Sequence, residues 1–315
     1  MALRLRQPKS GCTGPFKARR EYDAPDGQTL MTIDNNAAYN NRAHVPELPQ
    51  IIAQWEKDAA TYRNAMSRQG RAELDVRYGS TSRQIVDLFH GENDAPWAIF
   101  IHGGYWRALS PKEHSHLARG LTERGINVAM AGYDLSPQVT LAEIIEQMRA
   151  ATLFLWKRFA RHMTVYGHSA GGHLTACVMA TDWTKLDAGA PRDLLPTGLA
   201  ISGVFDLTPL VHTDMNADYK LDNAGARASS PLFWPAPTGK TLDVIVGAAE
   251  LPEFVRQSKA IADTWGAEGV KTSYEAVPGK HHFNVIADLA EPKSAMVERL
   301  VTLCRRQKQQ IDDPG

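Results

Sequence analysis

The sequence predicts an α/β fold, with a mostly parallel central sheet and helices on both faces. Three observations carry this reading. Short continuous apolar runs such as "PWAIFIHGG", "INVAMAGYD" and "MTVYG" have the character of strands buried on both faces. Between them lie amphipathic stretches of helical length, and such alternation is the mark of a covered parallel sheet. Helix-start signals stand where those amphipathic stretches begin.

In chain order, "ELPQIIAQWEKDAATYRNAM" reads as an amphipathic helix with Ile51, Ile52, Trp55, Ala59 and Tyr62 near one face. "LDVRYG" and "RQIVDLFHG" read as paired strands ahead of the main sheet. Ser110-Pro111-Lys112-Glu113 opens a helix, because the Ser can cap it, Pro suits the first turn and Glu completes a capping box. Thr140-Leu141-Ala142-Glu143 repeats that box, and Leu141, Ile144, Ile145, Met148 and Leu155 supply the apolar stripe. Strands follow in "MTVYG", "GLAISGVFDL" and "TLDVIVGAAE", then a helix in "PEFVRQSKAIADTW" and a strand in "TSYEAVPG". Residues 207–240, rich in Pro, Asp and Asn, break the rhythm and read as an excursion above the sheet.

Composition bounds the partners. The chain has 315 residues, 43% hydrophobic and 22% charged, ordinary values for a soluble globular enzyme. Lys+Arg and Asp+Glu both total 35, so there is no electrostatic footprint for nucleic acid or an anionic membrane. No apolar run has the length of a membrane span. Cys12, Cys177 and Cys304 are odd in number and far apart, which suits a reducing, cytoplasmic setting better than a disulfide framework. The expected partner is a small-molecule substrate, and a homodimer is left open. Residues 1–30 carry six basic residues and no acid before Glu21, so they read as a disordered arm or an over-extended start. A single domain is expected over residues 31–308, with a tail at 309–315.

The chemistry concentrates in "TVYGHSAGG", where G-x-S-x-G follows a strand and precedes a helix. Gly167 and Gly171 allow a sharp turn without a Cβ clash, so Ser169 projects at the sheet's carboxyl edge as a candidate nucleophile. A Gly-rich turn with an incidental Ser would look similar. "IFIHGGYWRALSP" weighs against that alternative, because its Gly-Gly run places backbone N–H groups beside the Ser. Gly103, Gly104 and the N–H of Ala170 can then bind a tetrahedral oxyanion, and Tyr105 with Trp106 would wall the acyl pocket. A base should follow, and "VPGKHHFNVIADL" offers His281 and His282. The acid expected at the end of the preceding strand is Glu250, with Asp206 one strand earlier as the alternative. No H-E-x-x-H or carboxylate spacing accompanies the histidines, so neither a metal nor another cofactor is expected.

Taken together, "HGGYWR", "YDLSP", "GHSAGGHL", "ISGVFDL", "ELPEFVRQS" and "HHFNVI" resemble the serine-dependent kynurenine formamidase (arylformamidase) branch of the α/β-hydrolase fold. That branch stands near the hormone-sensitive-lipase-like esterases, and the resemblance covers about residues 35–305. It implies Ser169 as nucleophile, His282 (the residue before Phe283) as base, and Gly103 and Gly104 in the oxyanion hole. The family's acid is usually Asp in D-x-P-E-F, and here that position is Glu250. The resemblance also implies that the N-terminal helix folds over the catalytic face, forming a small cap with residues 207–240. The expected activity is removal of a small acyl group from an aryl formamide or ester. A general short-chain carboxylesterase and a non-catalytic ligand-binding fold are the alternatives, and the intact Ser, Glu, His and Gly-Gly set argues against the last.

Overall fold

The computed structural model describes residues 33–312, with side chains through Arg306. The basic arm at 1–30 lies outside the described residues. Eight strands make one sheet: β1 (Ala72–Arg77), β2 (Ile85–Phe89), β3 (Trp97–Ile101), β4 (Asn127–Ala131), β5 (Met163–His168), β6 (Thr197–Ile201), β7 (Thr241–Gly247) and β8 (Lys271–Val277). Their order is β1-β2-β4-β3-β5-β6-β7-β8. The β1–β2 and β2–β4 pairs are antiparallel and all others are parallel.

The continuous apolar runs are two-sided strands. In β3, Trp97, Ile99 and Ile101 enter one core, while Ala98 and Phe100 enter the core on the opposite face. Period-two geometry divides every such run in this way. Five longer helices cover the faces: α1 (Leu48–Arg68), α2 (Leu141–Phe159), α3 (Ala170–Met179), α4 (Pro252–Ala267) and α5 (Ala295–Asp312). The core that receives α2, α3 and α4 differs from the core that receives α1 and α5. The Thr140 capping box forms in full, with the side chain accepting from Glu143 N and Glu143 answering to Thr140 N. An N-terminal cap of this kind is worth about 1 kcal/mol. Ser110 also caps its helix, but that helix stops at His114 and continues as a 3₁₀ turn (Ser115–Ala118) and a further turn (Arg119–Thr122). The final helix runs to Asp312, past residue 308 where the sequence places the end of the domain.

The segment before α1 is seated firmly. Tyr39 is buried, its hydroxyl donating to Glu253 Oε2 (3.0 Å) and accepting from Gln257 Nε2 (2.7 Å) on α4. α1 itself is tied to the sheet by Arg63, whose guanidinium meets the buried Asp87 carboxylate of β2 and Ser115 Oγ (3.0 Å). Residues 207–240 form short helical turns rather than a continuous element. They dock on α3 through His173 Nε2 and Ser229 O (2.7 Å) and on the N-terminal segment through Asp214 N and Asn36 Oδ1 (2.7 Å).

Candidate active site

The parallel strands end on one edge, and the loops leaving β3, β5, β6 and β7 meet there. Ser169 stands between β5 and α3 with φ 56° and ψ −117°, a conformation that costs a non-glycine residue roughly 1–3 kcal/mol. The flanking glycines permit close approach: a Cβ on Gly171 would fall 1.9 Å from Ile101 O, and one on Gly167 would fall 2.3 Å from Gly171 O. The turn is therefore packed directly against the end of β3. Ser169 N donates to Ile201 O (2.8 Å), which fixes the elbow to β6 as well.

The Gly-Gly loop after β3 is oriented by Tyr133. The Tyr133 hydroxyl donates to His102 O (2.9 Å) and lies 3.4 Å from Gly103 O, while its ring stacks on His102 at 4.2 Å and 3°. In a trans peptide the C=O and N–H point in opposite directions. The N–H groups of Gly103 and Gly104 are thus turned away from Tyr133. Ser169 O likewise accepts from His173 N within the helix, so the Ala170 N–H points out of the helix start. Among the described residues, none of these three N–H groups has a hydrogen-bond acceptor. Gly103 also lies against the Ser, since a Cβ built on it would be 3.2 Å from Ser169 Cβ.

His282 and Glu250 meet at 2.6 Å (Nδ1 to Oε2), with side chains that are almost wholly buried. Glu250 Oε1 accepts from Ser202 Oγ (2.5 Å) and Gly247 N (2.7 Å), so both carboxylate oxygens are engaged. With Nδ1 committed to Glu250, Nε2 is the ring nitrogen left for proton transfer. Among the described residues no hydrogen bond joins Ser169 Oγ to His282, a contact that commonly tightens only when substrate closes a site. Asp206 is engaged elsewhere, its Oδ1 accepting from Thr208 N and Oγ1. The neighbouring His281 takes a local role, accepting from Phe283 N (3.2 Å) and facing Glu47 at 3.7 Å.

Ser202 is the supporting residue that sequence reasoning passed over, whereas His168, which flanks the elbow in sequence, reads there as a packing or hydrogen-bonding residue and is one. Ser202 sits at φ 53°, directly after β6, and aims its hydroxyl at Glu250. His168 Nε2 bonds to His282 O (2.8 Å), and its ring lies 4.7 Å from that of His282. Burial, and next the neighbouring His282, hold the His168 pKa well below the usual histidine value. Ser202 directly follows the carboxyl end of β6 beside the elbow, a position that could have marked it.

A cavity of 460 Å³ opens above these groups, lined by Ser169, His282, Gly103, Gly104 and Tyr105. Leu48, Ile52 and Trp55 of α1 form the facing wall, and from residues 207–240 Asp218 reaches the cavity. The cap is thus built chiefly by the N-terminal segment. Trp106 does not line the cavity, contrary to the sequence-based expectation. It is fully buried on the far side of the turn, edge-on to His173 (5.0 Å) and Tyr219 (5.8 Å). Tyr105 and Trp106 are both left-handed (φ 51° and 54°), and the tight turn sends their side chains to different surroundings. Burial pushes the Tyr105 phenol well above its ordinary pKa, and its hydroxyl donates to Tyr39 O (2.6 Å).

The family model described as "alpha/beta hydrolase fold" matches residues 98–285. The chain is 30% identical to kynurenine formamidase of Danio rerio over 73% of its length and 81% of that protein, and equally to its Salmo salar counterpart. Among solved structures, a Silicibacter protein assigned provisionally as a thioesterase superimposes with TM-score 0.76 at 33% identity, covering 87% of this chain and 99% of that one. With the sheet order, the strained Ser elbow and these similarities in hand, the chain belongs to the α/β-hydrolase family, as a homologue of the kynurenine formamidases.

Proposed function

We propose that this hydrolase removes the formyl group of an aryl formamide, N-formyl-L-kynurenine, releasing L-kynurenine and formate. The observation that carries this reading is the similarity to kynurenine formamidases over nearly three quarters of the chain. In the proposed reaction His282 Nε2 takes the Ser169 proton as Oγ attacks the formyl carbon. Glu250 holds His282 in the required tautomer and stabilises the imidazolium. The N–H groups of Gly103, Gly104 and Ala170 receive the oxyanion, each donor contributing roughly 3 kcal/mol to the transition state. His282 then protonates the leaving aryl amine. Water, deprotonated by His282, attacks the formyl-serine, and formate leaves with Ser169 restored.

A small-ester or thioester substrate is the second reading, favoured by the likeness to the Silicibacter protein. Steady-state kcat/KM on N-formylkynurenine beside a nitrophenyl ester series separates the two. A formamide rate well above every ester rate is expected, and the reverse ranking would assign the chain to the esterases. The cytoplasm is the proposed setting: Cys177 and Cys304 are buried free thiols, and among the described residues no helix is long and apolar enough to cross a membrane.

A further inference from the structure

The geometry points to a second recognition site in the same cavity: Asn41, Arg107 and Asp218 together bind the α-ammonium and α-carboxylate of an amino-acid substrate. This rests on the formamidase reading and extends it from the scissile bond to the other end of the substrate. Each of the three residues lines the cavity that holds Ser169. Asn41 is 1% exposed, yet among the described residues neither its Oδ1 nor its Nδ2 has a hydrogen-bond partner. Arg107 Nε is likewise buried without a partner, although its Nη1 reaches Asp218 Oδ2 at 2.6 Å.

These groups come from three separate segments and are fixed to one another. The Tyr39 carbonyl accepts from Asn41 N (3.2 Å) and from Tyr105 Oη (2.6 Å). The Tyr105 carbonyl accepts from Tyr219 Oη (2.9 Å), and the Arg107 guanidinium stacks 5.7 Å from the centre of the Tyr219 ring. Asn41, Arg107 and Asp218 are each within two residues of a member of this tyrosine chain.

Buried polar groups without partners in a binding cavity select the ligand that pairs them. An amide offers one donor end and one acceptor end, a guanidinium takes an anion, and a carboxylate takes a cation. Their combination matches an amino-acid zwitterion, whose carboxylate would meet Arg107 and Asn41 Nδ2 while its ammonium meets Asp218 and Asn41 Oδ1. A short acyl ester or plain anilide would leave the Asn41 amide and Arg107 Nε unpaired.

The test compares N-formylkynurenine with formanilide, which keeps the aryl formamide and lacks the amino acid. Wild-type kcat/KM should favour N-formylkynurenine by about 10⁴, the order expected when a site built to hydrogen-bond its substrate meets an analogue lacking those groups. Asn41→Leu and Asp218→Asn should each lower that ratio at least tenfold, chiefly through KM, with unchanged melting temperature. L-Kynurenine should inhibit wild-type turnover of a nitrophenyl ester competitively and inhibit both variants more weakly. A wild-type ratio near one, or equal inhibition of all three proteins, would overturn the recognition site while formanilide turnover still upheld formamide chemistry. Ester turnover without any formamide turnover would instead remove the formamidase reading, and the kynurenine inhibition would then decide the site by itself.

Discussion

Ser169 holds a left-handed backbone between two glycines whose Cβ positions are filled by neighbouring carbonyls. The hydroxyl therefore gains its position from packing, and its removal should leave the fold intact. Ser169→Ala is expected to lower turnover by several orders of magnitude with an unchanged melting curve, because members of such a set act as a unit. Retained activity that a chelator abolishes would point to a metal mechanism instead. Glu250→Ala should cost about 10⁴ in turnover, the scale of losing histidine orientation. Asp206→Ala should cost far less, since that carboxylate bonds to Thr208 rather than to His282. Measuring both variants against one substrate ranks the two acids. Ser202→Ala removes one of the two donors to Glu250 Oε1, so a loss intermediate between these two is expected.

At the scale of elements, α1 is both a core helix and a wall of the cavity. Trp55 packs near Phe283 (ring centres 6.5 Å apart), and Phe283 follows His282 in sequence. The Arg63–Asp87 pair pins this helix to β2, where Asp87 is fully buried and also accepts from Asp75 N (2.7 Å). Arg63→Ala leaves that carboxylate without its counter-charge. A loss of roughly 3–5 kcal/mol is expected for breaking a buried pair from one side. Urea midpoints measure it, and replacing both partners by Leu should recover part of the loss. A chain begun at Ala59 loses Tyr39, Leu48 and Trp55 together, so it should lose solubility and substrate selectivity at once. A soluble truncate with an unchanged substrate ranking would show that this segment does not govern access.

Across the whole molecule, buried histidines are expected to set the acid limit of stability. Burial is the first cause lowering the pKa of His102, His114 and His168, and it takes His116 and His173 down to about 4. Each folded-state value lies below the unfolded value near 6.5, so the unfolded chain binds more protons in between. Stability should fall as pH drops from about 6.5 toward 4, by up to ~1.4 kcal/mol per pH unit for each histidine. Urea midpoints at pH 7, 6 and 5 read the slope. His173→Gln should flatten it by about one proton while lowering the pH 7 midpoint, because its bond to Ser229 O anchors residues 207–240. A slope unchanged in that variant would assign the acid sensitivity to other groups.

The alternation of apolar runs with amphipathic stretches was enough to indicate the sheet and its covering helices, because burial on two faces leaves a local pattern. The Thr140 box was equally local, since both partners lie within one turn. The elbow at Ser169 and the Gly-Gly run announced themselves because close backbone approach demands glycine wherever it occurs. Which carboxylate meets His282 was a different kind of question. Glu250 and Asp206 both lie in loops leaving the carboxyl ends of parallel strands, and only the lateral order of β6 and β7, with the turn at Ser202, decides which one reaches the ring. The fate of Trp106 was hidden for the same reason: two adjacent aromatics look alike in sequence, while a left-handed turn sends one to the cavity and the other to the core. Asn41 gave no signal at all. Its significance arises because segments far apart in sequence enclose it, and desolvation of a polar group is a property that three-dimensional packing alone creates.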